Sequence, residues 1–169
     1  MRLLLLLPIF LFGFDFKQAY LNHDFKNLCK YGITHFKDIK KNENTLSLVG
    51  LSCVKSDDLF YLPVIINNLK FTKNGRKNSI YFSTLLLEKK LLIAYMIDNF
   101  DVSYYRLPFI NHPISVVFQA IQNKNFTKQD GILTIKKGNK IYKVYKTEDD
   151  KVFIDEYENG DLIISHWYR

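Results

Sequence analysis

The sequence predicts an α+β fold: about four to five helices over residues 14–123, then a four-stranded antiparallel β-meander over 131–169, in a single domain spanning 14–169. Three observations carry this. From Ser79 to Phe100 the apolar residues Ile80, Phe82, Leu85, Leu86, Leu91, Leu92, Tyr95, Met96 and Phe100 recur at spacings of three and four, a wide stripe on a 3.6-residue helix. After Gly131 the period drops to two. The Gly138-Asn139 and Asn159-Gly160 pairs then sit between alternating runs, where two-residue hairpin turns belong.

The central stripe is a core helix capped by Asn78 and Ser79 rather than a membrane span, because Glu88, Lys89 and Lys90 fall in its middle and each charge there costs roughly 2.5 to 3.5 kcal/mol in a bilayer. Before it, residues 14–41 read as mainly helical, with Phe16, Ala19, Tyr20, Phe25, Leu28 and Cys29 sharing a face and Gly32 ending or interrupting the run. Residues 45–54, TLSLVGLSCV, form a short buried helix or, failing that, a strand. Ser56, Asp57 and Asp58 suit a helix start, since short acceptors and carboxylates satisfy the free N–H groups of a first turn. Pro63 kinks that helix or delays it. The polar segment FTKNGRKN reads as a turn into the central helix.

Leu48, Gly50, Cys53, Leu62, Ile66 and Leu69 place small and apolar residues as in a tetratricopeptide-type unit, and the hairpin over 45–69 resembles one. No second copy follows at a fixed period, and arrays need about three, so an ordinary helical hairpin is expected. Beyond the aromatic loop DVSYYRLPFINH, Pro113 opens a helix over 113–122, where its missing N–H costs nothing. In the meander, an even-length turn near Asp149 would continue the face of Leu133, Ile135, Tyr142 and Val144 through Phe153, Asp155, Tyr157, Leu162, Ile164, His166 and Tyr168.

Residues 1–13 have the parts of a secretory leader: Arg2, an apolar run from Leu3 to Phe12 that is too short for a stable anchor, and small Gly13 at the cleavage point. Losing Arg2 with the leader takes the formal charge from +7 to +6. The lysines are scattered, so nucleic acid is not the expected partner. Cys29 and Cys53 are the only cysteines, and an even count in an exported chain predicts one disulfide.

No phosphate loop, dinucleotide fingerprint or calcium loop is present, and neither a cofactor nor a metal is expected. His23, Cys29 and His35 are metal-binding types, but spacings of six and six point about 240° apart on a helix. Gly50, Ser52 and Val54 only half match a nucleophile elbow. Asp155 and His166 are the candidate catalytic pair, because the expected register sets them diagonally on neighbouring strands and a carboxylate that orients an imidazole begins general-base chemistry. Tyr104, Tyr105, Arg106, Phe109, Tyr145 and Trp167 are interface candidates by residue type. The expectation is an exported periplasmic or secreted binding or assembly module of the cell envelope with an envelope protein as partner, no catalysis and no transmembrane span in the mature chain. The alternative is a small envelope hydrolase using Asp155 and His166.

Overall fold

A computed structural model of the chain describes residues 14–169, so the leader expected over 1–13 lies outside the described residues. The first helical run is three helices, α1 (Phe16–Leu21), α2 (Phe25–Thr34) and α3 (Phe36–Ile39). The breaks fall at His23, whose φ of 59° is left-handed, and at His35. Gly32 does not break the run. It lies inside α2, where a Cβ would strike Val49 of α4 (Glu43–Lys55). The close approach it permits brings Cys29 and Cys53 together, and they form the predicted disulfide.

Asn42 caps α4 by accepting the Thr45 N–H at 3.2 Å, so 45–54 is helix and not strand. The second arm of the expected hairpin is only a 3-10 turn, Leu59–Tyr61, and the five-residue α5 (Leu62–Ile66) with Pro63 in its first turn. That arm is too short to match the second helix of a tetratricopeptide-type unit. Ser56, Asp57 and Asp58 precede the second arm as expected, with Asp58 at the N-cap position of the 3-10 turn, but no side chain of theirs caps it. They end α4: the N–H groups of Asp57 and Asp58 donate to the carbonyls of Val54 and Cys53 at 3.2 and 2.8 Å, a Schellman closure with Asp57 left-handed at φ 57°.

The central helix α6 (Lys73–Asp98) begins six residues before the expected start, with Thr72 and not Asn78 or Ser79 as its cap. Glu43 of α4 explains the shift. Its carboxylate accepts the N–H groups of Lys70, Phe71 and Thr72 at 2.5, 2.6 and 2.7 Å and the Thr72 hydroxyl, while Thr72 Oγ1 accepts the Gly75 N–H at 2.9 Å. A negative charge at a helix start meets orphan donors and the positive end of the dipole. Gly75 leaves room for it, since a Cβ there would overlap the carboxylate.

The helix α7 (Pro113–Gln122) forms as expected. The sheet has five strands in sequential antiparallel order, β1 (Thr127–Gln129), β2 (Ile132–Lys137), β3 (Lys140–Lys146), β4 (Val152–Glu158) and β5 (Asp161–Tyr168). The short β1 is the addition to the four-stranded meander. Leu133, Ile135, Tyr142, Val144, Val152 and Ile154 form the buried inner face against α6 and α7. One contiguous core runs from there through Ile114, Val117, Phe82 and Leu85 to Leu28, Leu46 and Val49.

Two register effects decide the faces of β4 and β5. The connection from Thr147 to Lys151 has five residues, closed by the Thr147 N–H on the Lys151 carbonyl at 2.9 Å, instead of an even number. An odd loop turns β4 over, so Val152, Ile154 and Glu156 face inward while Phe153 and Asp155 face outward. A bulge beside Glu156 and Tyr157 turns the pairing back. His166 and Tyr168 are therefore inward, as expected.

Candidate functional site

The inward residues of β5 meet the Schellman turn that closes α4. His166, 7% exposed, bonds through Nδ1 to both oxygens of Asp57, at 2.7 and 2.9 Å. The left-handed backbone of Asp57 aims its carboxylate across the helix-sheet seam, and Asp tolerates that conformation better than most residues. The His112 ring lies 5.6 Å from that of His166, and its Nδ1 accepts the Ile114 N–H at 3.2 Å. Burial pushes His112 down to about 3, with the charges of His166 and Lys55 adding to the effect, so it is neutral at physiological pH. Tyr168 is 1% exposed, its hydroxyl has no hydrogen-bond partner among the described residues, and burial followed by the Asp57 charge holds it well above the ordinary phenol range.

Asp155 and His166 are not brought together. Asp155 stands opposite Ser165 and His166 opposite Ile154, on opposite faces of the sheet, and Asp155 accepts the Ser165 hydroxyl at 2.5 Å. The carboxylate that orients His166 is Asp57, 109 residues away in sequence. Nothing local signals that pairing, because it depends on a helix end and a sheet edge meeting.

A cleft of about 380 Å³ opens beside the dyad, lined by Asp57, Phe60, Lys26, Lys89, Trp167, Tyr168 and Arg169 among others. Ser56 also lines it, but its hydroxyl is committed to the carbonyls of Ser52 and Cys53 at 2.9 and 3.3 Å. Among the described residues the polar bonds of the His166 ring go to Asp57 alone. The dyad can position an imidazole, but among the described residues no hydroxyl or thiol nucleophile is hydrogen-bonded to it.

The most deeply buried acid among the described residues lies where α6 packs on α7. Glu88, 1% exposed, accepts the Ser115 hydroxyl at 2.8 Å, and Ser115 Oγ accepts the Ile110 N–H at 3.1 Å. Burial pushes its carboxyl up to about 7 against the opposing effect of the Ser115 bond.

The interface candidates separate into two places. Tyr145, Phe153 and Trp167 are register neighbours on the outward face of β3, β4 and β5, with Tyr145 and Phe153 stacked at 5.3 Å and the Lys151 ammonium 5.5 Å over Trp167. Tyr104, Tyr105, Arg106 and Phe109 lie in the loop before α7. Tyr104 is 82% exposed, Arg106 binds the loop carbonyls of Ser103 and Tyr105, and the Lys137 ammonium sits 4.4 Å over Phe109. His23 and His35 stack on Phe25 and Tyr31, Cys29 is in the disulfide, and among the described residues no group of three or more His, Cys, Asp or Glu could hold a metal ion.

Set against protein-family models, curated proteins and solved structures, the chain finds no match.

Proposed function

We propose that the protein is an exported binding or assembly module of the cell envelope, working in the periplasm or beyond it, without catalytic activity and with a protein as its partner. The observation that carries this reading is β5: Leu162, Ile163, Ile164 and Trp167 are 54, 57, 41 and 50% exposed along one strand at the border of the sheet. Apolar surface gathered in this way marks an interaction site. The leader-like residues 1–13 and the Cys29–Cys53 bond support an oxidising compartment. Among the described residues no helix is long and apolar enough to cross a membrane.

Two measurements on protein from its native cell test the reading. Intact mass should show a leader-sized loss and a gain of two protons on reduction. Gel filtration of the native extract should place the protein in a species larger than one chain, and replacement of Ile163 and Trp167 by Glu should release it to monomer size without changing its melting temperature. A full-length mass with free thiols, or monomer size for both proteins, overturns the proposal.

The Asp57–His166 dyad beside its cleft favours a second reading, a small envelope hydrolase in which Asp57 takes the role first given to Asp155. That reading requires an ester or amide substrate turned over by the purified protein and not by His166→Ala.

A further inference from the structure

The sheet ends in two unlike edges. On one side β1 has three residues and carries Lys128. On the other, β5 has eight residues with neither lysine nor proline, and among the described residues its backbone makes no hydrogen bond outside the ladder to β4. Folded proteins usually blunt an edge of that length with charge, proline or a covering segment, because its unpaired N–H and C=O groups template another strand. The bulge leaves Ile163 as an extra residue on β5, but from Ile164 to Tyr168 the ladder to β4 is regular.

The charges on β5 decide what fits. Its first residue is exposed Asp161, and exposed Arg169 follows its last. The cleft at the Arg169 end is lined by Lys26 and Lys89 and also by Asp57, which bonds His166, and Asp58, and none of the three cations is in an ion pair among the described residues. The edge itself therefore carries an acid, Asp161, at one end and a cation, Arg169, at the other. A parallel copy would oppose like charges at both ends, whereas an antiparallel copy opposes unlike charges at both. We propose that β5 pairs antiparallel with β5 of a second copy about a two-fold axis at Ser165, which joins two sheets into one. This rests on the binding-module reading above and names the partner as the chain itself.

In this register Asp161 faces Arg169 of the partner subunit, Ile163 faces Trp167 of the partner subunit, and Ile164 faces His166 of the partner subunit. Each contact occurs twice, as an isologous interface requires. Of the exposed apolar side chains of β5, Ile163 and Trp167 then pair with each other on both sides of the axis, and the outward N–H and C=O groups of the strand gain partners.

Sedimentation of the purified full-length chain tests the proposal. A reversible monomer–dimer equilibrium is expected. Asp161→Lys and Arg169→Glu should each weaken it about tenfold, because each places like charges at both ends of the interface. The double exchange of both residues should restore it. All these positions are exposed, so melting temperatures should stay with the parent, and Ile163→Lys should give a folded monomer. A monomer at every concentration overturns the proposal. So does a dimer indifferent to the single exchanges, or a double exchange that fails to recover association. A pure chain that is monomeric but belongs to a larger species in native extract would remove self-pairing and leave the module reading standing.

Discussion

Replacing Glu88 with Gln should stabilise the protein at neutral and alkaline pH. Glu88 is 1% exposed, its Oε1 accepts the Ser115 hydroxyl, and its Oε2 has no hydrogen-bond partner among the described residues. Burial raises its carboxyl from 4.5 to about 7 in the fold. Between those values the folded chain holds a proton that the unfolded chain has released. Stability is therefore whole below pH 4.5, declines across the window, and stays lowered above pH 7. At 1.36 kcal/mol per pH unit the full loss is about 3 kcal/mol, and relaxation and water penetration around the buried charge reduce the expected figure to about 2 kcal/mol. Gln keeps an acceptor for Ser115 and carries no charge to desolvate. Urea melts of both proteins should coincide near pH 4 and diverge above it, with Glu88→Gln ahead by about 2 kcal/mol at pH 8, equal to roughly 4 to 8 °C in Tm for a chain of this size. A variant that is less stable than the parent at pH 8, or a difference between the two that does not change with pH, would refute the reasoning.

Four further outcomes are expected. Glu43→Gln should weaken the chain at pH 7 and flatten its acid limb: the Thr72 hydroxyl and then the Phe71 amide hold Glu43 at about 2, so its contribution is present above the unfolded value of 4.5 and is lost as pH falls toward 2, which urea melts across that range would read. Reducing the Cys29–Cys53 bond, or replacing both residues with Ser, should cost about 3 kcal/mol by guanidinium unfolding, the loop-closure value for a ring of about 25 residues. Asp57→Ala should cost about 1 to 3 kcal/mol, because it leaves the Nδ1 of buried His166 unpaired. In Asp57→Asn the downfield Nδ1–H proton resonance of His166 should move upfield, because a neutral amide oxygen replaces the carboxylate, while Asp155→Asn should leave it in place; the reverse pattern would return Asp155 to the site.

Much of the fold was legible because it is written in local periodicity. Pro113 and the apolar spacing after it marked α7, and the Gly138-Asn139 and Asn159-Gly160 turns marked two hairpins. The site was less legible. The face of a strand is lost with a single residue of register, and the five-residue connection at Thr147–Lys151 carries no signal that separates it from an even one. The expected β4 face was inverted for that reason, and with it the Asp155–His166 pairing. The bulge beside Glu156 and Tyr157 returned β5 to its expected face. Likewise nothing near residue 73 announces a helix start, since the acceptor that makes it possible is Glu43, 27 residues before the first amide it binds.

What the sequence determined by itself is what neighbouring residues settle among themselves: helical and strand periods, hairpin turns, and the presence of exactly two cysteines to pair. The tertiary structure alone decided which carboxylate meets His166, which acid is buried at Ser115, and which strand is left with an open apolar edge. Those depend on where chain segments far apart in sequence come to rest, and the burial energy that places them is non-directional, summed over the whole core and recorded at no single position.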